Sequence, residues 1–298
     1  MEKYTFLSGL MHFSRAQGTP GFTWKFIGAY ILTSFILLVV FGTISAFVVP
    51  SFTNEFLTTG SARSSNPVML LITFGYMLLA ALVMSIFEAA ALRRYIYGNG
   101  FSLRFGAQEL RLVGVYVAWF ITLILSYFAV SIVSGLISML FVRIGAEAGG
   151  TASNVTTLLA SLLMFAIPLV LLGIVAKISS ASAMTVRDGK FTFFPAARVT
   201  IGRFWKVYFA YILVYMGLLL AMIITQVVLM QVFLGALGAT SPTDASGIAA
   251  GGLALFMLLT FTVLTAVGQL VTLGITSRLV LTDPEWDGRA ESLAGAFT

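Results

Sequence analysis

The sequence predicts an all-α, polytopic membrane protein: six transmembrane helices arranged as three tandem hairpins, with both termini cytoplasmic. Three observations predict it. Of the 298 residues, 59% are hydrophobic and only 9% are charged, with a mean hydropathy of +1.01, whereas a soluble domain carries about 25% charge. Six long stretches contain no charged side chain at all. The bases collect in alternate connections between those stretches.

The uncharged stretches run from Lys25 to Glu55, Arg63 to Glu88, Arg111 to Arg143, Glu147 to Lys177, Lys206 to Asp244 and Asp244 to Arg278. Each exceeds the roughly 20 residues needed to cross a hydrocarbon core of about 30 Å. They place spans at 25–49, 67–92, 110–142, 155–185, 204–238 and 247–277. Clusters of small and polar residues punctuate the gaps at Pro50 to Pro67, Gly145 to Asn154 and Gly238 to Ser246, as turns require. With the N-terminus inside, fourteen bases fall in cytoplasmic segments and only Arg63 and Arg143 in outer loops. That asymmetry sets the orientation.

Three regions follow: an interfacial segment over 1–23, the six-helix domain over 24–281 and a short polar tail over 282–298. The first region lacks the apolar core and small-residue cleavage site of a signal peptide. On a helical wheel Tyr4, Phe6, Leu7, Leu10, Met11 and Phe13 share one side, with Thr5, Ser8, His12 and Arg15 opposite. This is the pattern of a helix lying in the membrane interface.

An internal repeat gives the hairpin plan. Trp24-Lys25 precedes Tyr30, Leu110-Arg111 precedes Tyr116, and Trp205-Lys206 precedes Tyr211. In each case a bulky apolar residue and a base open an uncharged span, and a tyrosine follows the base by five residues. The periods, 86 and 95 residues, are each long enough for an interfacial stretch and one helical hairpin.

Several chemistries are excluded. There is no cysteine and one histidine, His12, so disulfides, thiolate nucleophiles, zinc clusters, bis-histidine haem and a Ser-His-Asp triad of the usual kind fall away. No paired carboxylates or phosphate-binding glycine loop appear, and no cofactor is expected. The basic runs never exceed Arg93-Arg94, too little for nucleic acid.

Glu88 and Lys177 lie within hydrophobic segments, where a charge costs roughly 2.5–3.5 kcal/mol. Together with Gln269 they form the candidate intramembrane polar site. Glu88 and Lys177 occupy the cytoplasmic halves of two descending helices and are expected to approach each other; the alternative is a Lys177 side chain that reaches for the headgroups. Pro168 is expected to interrupt span four, and Gly268 and Gly274 flank Gln269. Arg93, Arg94, Arg104, Arg198, Arg203 and Lys206 are candidate contacts to lipid headgroups or protein partners, or else anchors that enforce topology.

Gly100-Phe-Ser-Leu-Arg-Phe-Gly-Ala-Gln-Glu109-Leu-Arg111-Leu and Phe194-Pro-Ala-Ala-Arg198-Val-Thr-Ile-Gly-Arg203-Phe-Trp205 resemble segments that precede helices three and five in uncharacterised six-helix bacterial inner-membrane proteins. Those proteins are similar to the membrane segment fused to some glycerophosphodiester phosphodiesterases. Gln108 stands where that family usually has an acidic residue. The resemblance implies a bacterial inner-membrane location and no activity, since the chain holds no phosphodiesterase domain. The sequence favours a non-enzymatic scaffold that contacts membrane lipids and other membrane proteins. The alternative is a small transporter or channel for lipid-like or small polar solutes, with Glu88, Lys177 and Gln269 along its path.

Overall fold

The computed structural model describes residues 4–15, 20–48, 67–148, 166–237 and 247–283. The connections over 49–66 and 238–246, that before span four together with its first part (149–165), and most of the C-terminal tail lie outside the described residues. Those described form helices and short connections, with no strand among them. In chain order the helices are α1 (Phe6–Leu10), α2 (His12–Arg15), α3 (Phe22–Val48), α4 (Pro67–Tyr97), α5 (Ala107–Ala148), α6 (166–178), α7 (Ala181–Asp188), α8 (Ala196–Val199), α9 (Phe204–Leu237) and α10 (Gly247–Leu281). Six stretches are long and apolar enough to cross a membrane, α6 and α7 together forming one of them. The chain is a multi-pass membrane protein.

Several helices overrun the uncharged stretches. α4 continues through Glu88, Arg93 and Arg94, and α5 continues through Arg143. A charge ends the apolar window but not the backbone hydrogen-bond ladder, so the helix runs on into the interface. The 42 residues of α5 span about 63 Å, roughly twice the hydrocarbon thickness. Span four shows the opposite deviation. Its helix turns at Ser179-Ser180, while Pro168 stands in the first turn of the described part, so the interruption expected there lies at the edge of the described residues. There the Ser179 hydroxyl donates to the Ala176 carbonyl and that of Ser180 to the Ala196 carbonyl, both at 3.0 Å, so the break sits where side chains can satisfy backbone groups.

The core lies at one end of the bundle. Phe22, Phe26 and Tyr30 of α3, Phe87 to Leu92 of α4, Leu112 and Val115 of α5, Ala181 to Val186 of α7 and Leu270 to Val280 of α10 supply much of its buried surface. Toward the other end Phe47, Leu71, Leu125, Met139 and Val232 are exposed, as lipid-facing side chains are. α10 is the central element and packs against α1, α2, α3, α4, α7 and α9. Two glycines permit its close contacts. A Cβ at Gly268 would lie 2.4 Å from Leu218 Cδ1, and one at Gly274 would lie 2.9 Å from the Phe13 backbone nitrogen.

Through Gly274 the N-terminal segment docks onto the bundle. The Thr5 side chain caps α1 by accepting from the Ser8 N–H at 3.1 Å. Tyr4 and Gly9 are buried, Phe6, Leu10 and Phe13 pack on the core, and Leu7 and Met11 point outward. The helical wheel placed His12 on the polar side, but its Nε2 is buried without a partner. The reason is that the chain divides into α1 and α2, with Met11 outside both helices, so one wheel does not describe it. The His12 ring lies 5.8 Å from that of Tyr95. Burial first, and the Arg278 charge second, push its pKa down to about 4, against a hydrogen bond with the Tyr95 backbone that acts the other way.

Two outcomes follow from this docking. Gly274→Val should push Phe13 away and raise the rate of tryptic cleavage at Arg15 by about tenfold, the effect of overpacking a tight contact. The docked state disfavours the protonated His12, so its contribution to stability is full above about pH 6.5 and is lost as pH falls toward 4. The melting temperature of the detergent-solubilised protein should therefore fall over that window less steeply in His12→Phe than in the unaltered chain.

Candidate functional site

Where the packed end of the bundle gives way to the splayed end, a polar chamber of about 200 Å³ opens among six helices, with Val175 of α6 on its wall. α4 brings Glu88, α5 brings Tyr116 and Trp119, α7 brings Ser182, α9 brings Tyr211 and Tyr215, and α10 brings Gln269, Thr272 and Thr276. Glu88 is 6% exposed. Tyr116 donates its phenolic proton to Glu88 Oε2, and the Ser182 hydroxyl makes a second hydrogen bond to the same carboxyl. These contacts offset part of the cost of a carboxyl group within a span.

Three further hydroxyls of the chamber turn their protons away from it. Thr272 donates to the Gly268 and Gln269 carbonyls at 3.0 Å, Thr276 to the Leu273 carbonyl at 3.0 Å, and Ser179 to the Ala176 carbonyl at 3.0 Å. Each then presents only lone pairs to the interior. The side-chain oxygen of Gln269, Oε1, is buried and has no partner. The chamber therefore holds several uncommitted acceptors beside the phenols of Tyr211 and Tyr215, and no Lys, Arg or His side chain lines it.

The chamber runs into apolar space. Tyr215, Gln269 and Thr272 also line a cleft of about 420 Å³ between α9 and α10, bounded by Leu218, Met222 and Leu264. That cleft shares Tyr30, Met84, Phe261 and Thr265 with a second one of about 460 Å³ between α3, α4 and α10. Volumes of this size are those of small-molecule sites.

No protein-family model, curated protein or solved structure matches the chain.

Of the three residues expected to form an intramembrane polar site, Glu88 and Gln269 meet in the chamber and Lys177 does not. The Lys177 side chain is exposed, and its carbonyl accepts from the Thr200 hydroxyl at 3.1 Å. Counting back from a shared landmark shows why. Glu88 stands five residues before Arg93, and the residue five before Arg187 is Ser182, the very side chain that bonds Glu88. Lys177 is more than a turn away from that register. Tyr116 and Tyr211, two of the three tyrosines of the internal repeat, line the chamber, and Tyr30 lines both clefts. Trp119 and Thr276 carry no comparable signal in the sequence.

The basic residues divide into two groups. Arg104, Arg198 and Lys206 are exposed near the exposed Phe105, Ile201 and Trp205, as interfacial side chains would be. Arg94 is half-buried, with its guanidinium 4.6 Å from the Phe22 ring centroid. Arg93 and Arg203 face inward. Arg93 is 2% exposed; it pairs with Glu109 and donates to Gln108 Oε1 and to the Ser102 carbonyl, both at 3.1 Å. Arg203 donates to the Thr282 carbonyl at 2.8 Å and its hydroxyl at 3.1 Å, closing the end of α10. A guanidinium taken out of water needs acceptors of this kind; Arg93 Nε is buried without one, and its burial keeps the whole group from a headgroup. Among the described residues no group of three or more His, Asp or Glu side chains could hold a metal ion.

Breaking the buried pair should be costly. Arg93→Met is expected to destabilise the solubilised protein by about 3–5 kcal/mol, and Arg93→Met with Glu109→Leu to recover most of that loss. Unfolding curves of the two variants in one detergent check this.

Proposed function

We propose that the chain is a bacterial inner-membrane protein that binds a lipid-like amphiphile within its six-helix bundle and moves it across or along the membrane. One observation carries this reading: a polar chamber holding Glu88 and Gln269 adjoins an apolar cleft between the spans, and that cleft adjoins a second. A polar head and an apolar chain each have a compartment of matching chemistry, and the two compartments share Tyr215, Gln269 and Thr272. A scaffold that only contacts partners through its loops has no use for an acceptor-lined cavity between its helices, where each polar group is costly.

The orientation in this proposal has both termini cytoplasmic and three tandem hairpins, supported by the excess of bases in alternate connections and by the repeated base-to-tyrosine spacing. The packed end, with exposed Trp24, Trp205, Arg104 and Lys206, then lies at the cytoplasmic interface, where aromatic and basic side chains are favoured. The similarity of the loops before α5 and α9 to uncharacterised six-helix inner-membrane proteins supports the location. No catalytic step is assigned.

Extraction from native membranes followed by lipid mass spectrometry tests the reading. A single-chain or two-chain amphiphile should remain with the protein at near-stoichiometric amount, and Thr272→Phe, which fills space shared by the chamber and the adjoining cleft, should reduce it. Recovery of stoichiometric protein partners with no enriched amphiphile would support the scaffold instead.

A further inference from the structure

We propose that the chamber is a site for an organic ammonium headgroup. The inference rests on the reading of chamber and clefts as an amphiphile site, and it names the chemical class of the head. Four aromatic side chains, Tyr116, Trp119, Tyr211 and Tyr215, line a space of about 200 Å³ around one carboxyl group, Glu88. A ring face attracts a cation through its quadrupole, most strongly when water is excluded, and aromatic cages around quaternary ammonium groups use this attraction.

The hydrogen-bonding pattern favours the same class. The hydroxyl protons of Ser179, Thr272 and Thr276 are committed to backbone carbonyls, that of Tyr116 is committed to Glu88, and Gln269 Oε1 is a buried acceptor with no donor. A headgroup that brings donors or positive charge completes this set. A phosphate or carboxylate head would meet the Glu88 carboxyl and the lone pairs of Ser179, Thr272 and Thr276, with only the phenols of Tyr211 and Tyr215 to donate and no lining base to neutralise it, and a buried charge without a counter-charge is disfavoured. The cleft beyond Tyr215 and Gln269 is lined by Leu218, Met222 and Leu264, so the nitrogen would carry an alkyl chain extending into it.

Two forms of the head share this chemistry. A primary ammonium would donate to Glu88 and Gln269, and a trimethylammonium would rest on the ring faces.

Calorimetric titration of the full chain in maltoside micelles, with blank micelles subtracted, tests the assignment with four probes of equal chain length: dodecylamine, dodecyltrimethylammonium, dodecanoate and dodecanol. At least one ammonium probe should bind saturably and about tenfold more tightly than dodecanoate and dodecanol. Preference for the amine assigns the selectivity to Glu88 and Gln269, and preference for the trimethylammonium assigns it to the rings; both support the proposal. Glu88→Gln should remove most of the tenfold preference, and Trp119→Leu should weaken the trimethylammonium probe most. The ranking on the unaltered chain decides the matter even where a variant fails to fold. Equal binding of all four probes, or tighter binding of dodecanoate, would overturn the headgroup assignment and leave the amphiphile reading in place. Saturable binding of none would overturn both.

Discussion

The arginines at the packed end hold the rest of the structure in place. Arg93 joins the end of α4 to the start of α5 through Glu109 and Gln108. Arg187 reaches from α7 to the end of α10 through the Val280 carbonyl at 3.2 Å and Asp283 at 3.4 Å, and Arg203 closes on Thr282 from the turn before α9. Each ties a segment from one part of the chain to the end of another helix. Two of the three are nearly inaccessible to solvent, where a guanidinium lacking acceptors would be strongly destabilising. Their geometry therefore admits little variation, and the helices that carry them are fixed at this end.

The splay at the other end follows from the solvent. Lipid tails are as apolar as leucine, so large aliphatic side chains gain little by leaving lipid for another helix, and association depends on close packing and polar contacts. Both are concentrated at the arginine end. The buried run Ser179 to Ala183 and the close approach at Gly274 supply the packing, and the arginines supply the polar contacts. Beyond Gly268 those devices thin out, and Leu255, Phe256, Leu219 and Leu220 stand exposed. The clefts open in that region, and the chamber sits at the boundary, walled by packed helices on one side and continuous with apolar space on the other.

Much of this was legible in the sequence because a membrane imposes simple arithmetic. Uncharged stretches locate spans, and the six of them correspond to six membrane-length helical stretches. The same arithmetic fails at fine detail, since it treats every charge as a boundary. Arg93 lies inside α4 because Glu109, distant by 16 residues, neutralises it, and no local pattern announces such a partner. Lys177 and Glu88 both break apolar segments, yet their side chains have different surroundings because the turn at Ser179-Ser180 resets the helical phase between Lys177 and Ser182. His12 was misplaced for the same reason, by a division between two short helices. The chamber itself was half legible: Tyr116 and Tyr211 share a register with Tyr30, and Ser182 shares one with Glu88, but that these registers converge is a property of packing.

The position of Glu88 connects the fold to the proposed chemistry. A carboxyl group used only to fasten helices would be best placed among the arginines, where Glu109 and Asp283 are. Glu88 stands instead about a turn and a half of helix from Arg93, on the chamber wall, and its partners Tyr116 and Ser182 are neutral donors. Two neutral donors orient a carboxyl group without neutralising it. They leave its remaining lone pairs directed at a space that also contains the unpartnered oxygen of Gln269. The fold thus spends its cations at one end of the bundle and keeps them out of the chamber, so the one acidic group facing that space is matched only by what enters it.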